Sequence, residues 1–170
     1  MKKQTAFVIL FCIAVLTGCK ADPIRTYQVP KQVIRIAKLQ DAGALQWASP
    51  KSWIQEKAGN MIDQQFRLPG DAVFTVASFP GNVGGLLSNV NRWRGQLGLE
   101  PTSLKKVQSM VEESQTQTGL PFRRIYLENS KEQALHIAIL PFGGKTFFFK
   151  ITGSKIALAK NHAAFIRFLE

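Results

Sequence analysis

The sequence has little cysteine and little histidine. Its two cysteines, Cys12 and Cys19, both fall within the first nineteen of 170 residues, so nothing from Lys20 onward can form a disulfide, supply a Cys-ligated zinc site or act as a thiol nucleophile. Such a chain depends on its apolar core alone, and roughly 150 residues suffice for one core. The two histidines, His136 and His162, lie far apart and lack neighbouring carboxylate clusters, which leaves no metal-ligand spacing. Gly-x-Ser-x-Gly, His-Glu-x-x-His, P-loop and dinucleotide fingerprints are absent. No cofactor, no metal and no catalytic residue are expected, and the chain reads as a non-enzyme.

Long apolar runs are also missing. The run Ala6 to Leu16 falls short of the roughly 20 apolar residues that cross a bilayer. Lys2 and Lys3 precede it and Leu16-Thr17-Gly18-Cys19 closes it, which supplies the charged start, short apolar core and small residues of a secretory signal. With the cysteine placed directly after Leu-Thr-Gly, the segment resembles the signal peptide and lipobox of a bacterial lipoprotein. The resemblance implies cleavage after Gly18 and acylation of Cys19, giving a signal peptide at 1–18, a lipidated tether at 19–44 and a globular domain at 45–170. Each buried methylene contributes about 0.8 kcal/mol, so two or more acyl chains hold firmly where one does not. Lys20 rather than Asp follows the acylated cysteine, which implies the periplasmic face of the outer membrane, with inner membrane or cell surface as the alternatives.

Acidic side chains are scarce, 11 against 22 basic ones, for a net charge of +11. An excess of this kind beside lipid headgroups suggests attraction to an anionic lipid surface, each nearby cation contributing about 1 kcal/mol. It also serves plain solubility. No basic arm exists: Arg92 with Arg94, Lys105-Lys106 and Arg123-Arg124 are dispersed pairs. Nucleic acid is not an expected partner in the periplasm; another envelope protein is.

Pro23 and Pro30 favour an extended tether, while Val33 to Ala37 is more apolar than a linker needs, so order at residues 33–39 stays open. Trp47 and Trp53 flank Pro50 in a short strand and turn. Strands are predicted at Ile62 to Leu68 and Ala72 to Phe79, joined by Pro69-Gly70-Asp71. Leu86, Val90, Trp93 and Leu97 recur at helical spacing before a stop at Gly98, with Asn89, Arg92 and Gln96 pointing elsewhere. A second short helix is predicted from Ser103, carrying Leu104, Val107 and Val111 on one face. Phe122 to Leu127 is a further strand.

Ala134 to Leu140 and Thr146 to Ile151 form a hairpin about Gly143-Gly144, which pairs Leu140 with Phe147, Ala138 with Phe149 and His136 with Ile151. Both faces of that hairpin are apolar, so both should be covered, and one of Phe147, Phe148 and Phe149 must face opposite to the other two. A terminal helix is predicted to bury Ile156, Ala159, Ala163, Ile166 and Leu169. The order favours an α+β fold with a central antiparallel sheet.

Trp47 and Trp53 around Pro50, Pro69-Gly70-Asp71, Gly84-Gly85 with Asn89-Val90-Asn91-Arg92-Trp93-Arg94-Gly95-Gln96-Leu97, Gly143-Gly144 and Phe148 to Gly153 together resemble a group of exported bacterial proteins similar to the Mog1/PsbP-like superfamily. The resemblance covers about Leu45 to Glu170 and implies an α/β/α sandwich with helices on both faces of the sheet. It also implies a binding or assembly factor rather than an enzyme. A second reading is a small-ligand or anion site in which Gly84 and Gly85 present amides and Arg92 and Arg94 present guanidinium groups. The glycines better suit a sharp strand-to-helix turn. His136 reads as a buried, hydrogen-bonded core residue and His162 as exposed.

Overall fold

The computed structural model describes residues 45–170, so the signal peptide, Cys19, the tether 19–44 and the segment 33–39 lie outside the described residues. Ten elements follow: β1 (Ile54–Glu56), β2 (Gln64–Leu68), β3 (Ala72–Pro80), α1 (Leu86–Gln96), α2 (Leu104–Gln108), β4 (Val111–Gln115), β5 (Pro121–Glu128), β6 (Gln133–Phe142), β7 (Lys145–Ser154) and α3 (Lys155–Leu169). The strands form one seven-stranded sheet in the spatial order β1-β2-β3-β7-β6-β5-β4, antiparallel throughout. From β3 the chain crosses through α1 and α2 to the far edge, then returns strand by strand until β7 closes against β3.

The β6–β7 hairpin has the predicted register: Leu140 pairs with Phe147, Ala138 with Phe149 and His136 with Ile151. Gly143 and Gly144 both take positive φ, 56° and 73°, as a two-residue turn matched to strand twist requires. Alternation along the strands then sorts side chains into two clusters. Ala134, Ala138, Leu140, Phe149 and Ile151 join Phe66, Phe74 and Val76, and α3 adds Ala157, Leu158, Phe165 and Leu169. Leu135, Ile137 and Phe148 join Ile125 and Leu127, and here α1 adds Val90 and Trp93, its C-terminal cap adds Leu97, and α2 adds Val107. Phe148 is the phenylalanine that faces away from its two neighbours, and the rings of Trp93 and Phe79, each 6.0 Å from it, help bury it.

Five local expectations fail. Helix α2 stops at Gln108, and Val111 opens β4 instead of extending the helix. Its sequence, Val-Glu-Glu-Ser-Gln, shows no apolar alternation because β4 is an edge strand, with Glu112 paired to Arg124 and Glu113 to Arg123. In α3 the buried positions are Ala157, Leu158, Asn161, Phe165 and Leu169, whereas Ile156 is 79% exposed. Asn161 sets this phase by donating to the carbonyls of Pro69 and Ala157, both at 2.8 Å, which turns a polar residue inward. Asn89 is likewise buried rather than turned outward, and β2 begins at Gln64 rather than Ile62. Around Pro50 the chain makes a turn, with the Trp53 amide donating to the Pro50 carbonyl, but the strand follows Trp53 and Trp47 belongs to none.

Candidate functional site

The Asn-Val-Asn-Arg-Trp-Arg run of α1 divides its side chains among separate tasks. Val90 and Trp93 face the core. Asn89 Nδ2 donates to the Val83 carbonyl at 2.9 Å, and Asn91 exchanges hydrogen bonds with the amide and carbonyl of Thr102. Gly84, at φ 77°, sits so close to the Asn89 amide that an added Cβ would lie 3.2 Å from Asn89 Oδ1. The space beside the glycine loop is therefore filled from within the chain. Arg92 Nη2 donates to that same Asn89 Oδ1 at 3.0 Å, while Arg94 Nε donates to the Glu100 carbonyl at 2.7 Å, beyond the other end of the helix. Gly84 and Arg92 come together through Asn89; Gly85 stays at the helix start and Arg94 leaves the group.

Arg92 instead lines a cleft of about 210 Å³ whose apolar walls include Ala77, Phe79, Trp93, Ile137 and Phe148, with Met61 at its margin. Across it stands Lys150, at the centre of β7. Lys150 shares a strand face with Phe148, so its stem is held among apolar groups while Nζ reaches to 3.4 Å from Gln96 Oε1. Burial lowers the Lys150 pKa, and the charge of Arg92 lowers it further. Among the described residues neither cation is paired with a carboxylate. A neighbouring depression of about 410 Å³ shares Gln96 and Lys150 and is bordered by Gln133, Thr152 and Ser154. Its one carboxylate, Glu132, reaches Lys155 Nζ at 3.5 Å.

This arrangement can attract an anion and bury an apolar group beside it. Sequence reasoning missed Lys150, although a lysine midway along a strand paired on both sides is a visible signal. Ser103 and Lys106 stand in Ser-x-x-Lys spacing, but the Ser103 hydroxyl accepts the Lys106 amide as the cap of α2. Gly144-Lys145-Thr146 resembles the end of a P-loop, yet it is a hairpin turn that opens a strand.

The two histidines meet in space. The exposed His162 stacks on the buried His136 with centroids 5.5 Å apart, and Tyr126 and Phe165 approach His136 edge-on. The surroundings of His136 are thus aromatic. Burial, then the charges of His162 and Arg124, push its pKa down to about 4. No group of three or more metal-ligating side chains gathers among the described residues.

No protein-family model matches the chain, and no curated protein matches it. Among solved structures it is similar to the cyanobacterial PsbP (CyanoP) of Synechocystis sp. PCC 6803, at 14% identity and a TM-score of 0.47, over 72% of this chain and 81% of that one. It is also similar to a protein of Bacteroides thetaiotaomicron, at 18% identity and a TM-score of 0.43, over 73% of this chain and 43% of the other.

Proposed function

We propose that this chain is a membrane-anchored lipoprotein of the cell envelope, held through acylated Cys19 on the periplasmic face of the outer membrane, whose domain binds another envelope component without catalysing a reaction. The domain is read as a Mog1/PsbP-like α/β/α sandwich. Two side-chain clusters built from alternate strand residues, each with its own helices, support that reading. One observation carries the binding role: Arg92 and Lys150 line a single apolar cleft with no carboxylate partner among the described residues. Two like charges held over apolar surface are costly unless an opposite charge joins them.

A photocrosslinking residue at Gln96, in the full-length protein in cells, tests the role against the same residue at Glu113 on the sheet edge. Discrete adducts from position 96 alone, lost when Arg92 and Lys150 are both changed to Glu, are expected. Equal adducts from both positions, or none, overturn the assignment of the cleft.

The second reading, a small-ligand or anion site, is favoured by Lys150. The anion seat then lies between Arg92 and Lys150 instead of at Gly84, Gly85 and Arg94.

A further inference from the structure

The geometry points to an anion carrying a single alkyl chain as the occupant of the Arg92–Lys150 cleft, the alkyl chain lying against Phe79, Trp93 and Phe148 and the anionic group seated at Lys150. The inference rests on the binding reading above and names its ligand class.

Three observations combine. The two depressions differ in character and meet at Gln96 and Lys150. One is walled by aromatic rings and Ala77; the other sets the amide and hydroxyl groups of Gln133, Thr152 and Ser154 beside Leu97 and Leu135. A molecule that spans the junction is apolar on one side, hydrogen-bonding on the other and charged between them. Charge complementarity fixes the sign, because Lys150 stands at the junction, Arg92 lines the apolar cleft and Lys131 the other depression, while Glu132 is engaged by Lys155. The apolar part is small, about 210 Å³, below the roughly 300 Å³ at which drug-sized pockets begin. That space suits one alkyl segment. The desolvation that lowers the Lys150 pKa is partly offset when an anion binds, so the site favours an anionic head over a neutral one.

Alkyl carboxylates and alkyl phosphates share this chemistry, the first standing for free fatty acids and the second for single-chain phospholipids. A decanoic acid bearing a diazirine on its chain is photolysed with the full-length protein in phosphatidylcholine nanodiscs, and labelled peptides are mapped by mass spectrometry. Label on the peptides carrying Phe79, Trp93 or Phe148 is expected, competed by octanoate or octyl phosphate at least tenfold better than by octanol. Affinity should rise roughly fourfold per added methylene until the cleft is full. Competition by octanoate alone assigns a fatty acid, and by octyl phosphate alone a phospholipid-type anion. Arg92→Gln with Lys150→Gln should weaken labelling at least tenfold, Ala77→Leu should weaken it by filling the cleft, and Lys150→Arg should retain it, with thermal melts confirming that each variant folds. Label spread over the surface, labelling unchanged in folded charge variants, or inorganic phosphate competing as well as octyl phosphate overturns the inference. If Gln96 adducts form in cells while alkyl anions fail to compete, the binding role stands and the ligand class falls.

Discussion

The imidazole of His162 on α3 lies face to face with that of His136 on β6, ring planes 10° from parallel. His136 also meets Tyr126 and Phe165 edge-on, and the positive charge of Arg124 bears on it from β5. This environment accepts a neutral ring and resists a charged one, first through burial and then through the electrostatic effects of His162 and Arg124.

The first prediction is an acid-linked loss of stability. Unfolded His136 takes up a proton near pH 6.5, whereas in the fold it does so at about 4, so between those values the unfolded state binds more protons and stability rises with pH. The contribution is complete above about pH 6.5 and is lost as pH falls toward 4, by at most about 3 kcal/mol. Denaturant unfolding at pH 7.5 and at pH 4.5 should show the loss, and His136→Phe should reduce it. An unchanged pH dependence in that variant contradicts the assignment.

Asn161 supplies the second prediction. Its buried amide ties α3 to the β2–β3 turn through the Pro69 carbonyl and also meets the Ala157 carbonyl. Asn161→Ala removes both bonds and should destabilise by about 1–3 kcal/mol, read as a lowered thermal midpoint. An exposed alanine substitution such as Lys160→Ala should stay within about 0.5 kcal/mol. If the two variants melt together, the tie contributes nothing.

Gly153 on β7 tests close approach in the third. A Cβ added there would lie 3.1 Å from both Cα and Cβ of Ala72 and 3.3 Å from Leu158 Cδ1. Gly153→Ala should therefore cost about 1–3 kcal/mol by overpacking. Ala72→Gly removes one of the opposing atoms, so the double variant should lose less than the two single losses added together. Strict additivity would show that the contact is not shared.

The parts legible in the sequence are those where apolar spacing and turn chemistry agree. Gly143-Gly144 with flanking alternation yields the β6–β7 register residue by residue, and Val90 and Trp93, with Leu97 at the cap, mark the buried face of α1. Elsewhere a buried polar residue or an edge breaks the pattern. Asn161 turns α3 away from the phase that Ile156 suggests, and β4 carries acids paired to arginines in place of alternating apolar residues. The cleft is hidden for a different reason. Met61, Arg92 and Lys150 come from a turn, a helix and a strand far apart in the chain, and the sheet order that places β3 beside β7 brings their neighbours together. Arg92 and Arg94 look alike in sequence, but hydrogen bonds to Asn89 and to the Glu100 carbonyl send them in different directions.

The last prediction concerns Cys19, in the sequence Leu16-Thr17-Gly18-Cys19. The lipoprotein reading places a diacylglyceryl group on its sulfur, and at about 0.8 kcal/mol per buried methylene two or more chains hold the protein on the membrane through washing. Cells fed labelled palmitate should incorporate label into the wild-type chain and none into Cys19→Ala, which should also leave the outer-membrane fraction. Lys20→Asp should keep the label but shift the protein toward the inner membrane, because it restores the retention signal that Lys20 lacks. Unlabelled wild type, or label that survives Cys19→Ala, removes the anchor. Full labelling with no shift in Lys20→Asp keeps the anchor and removes the outer-membrane assignment.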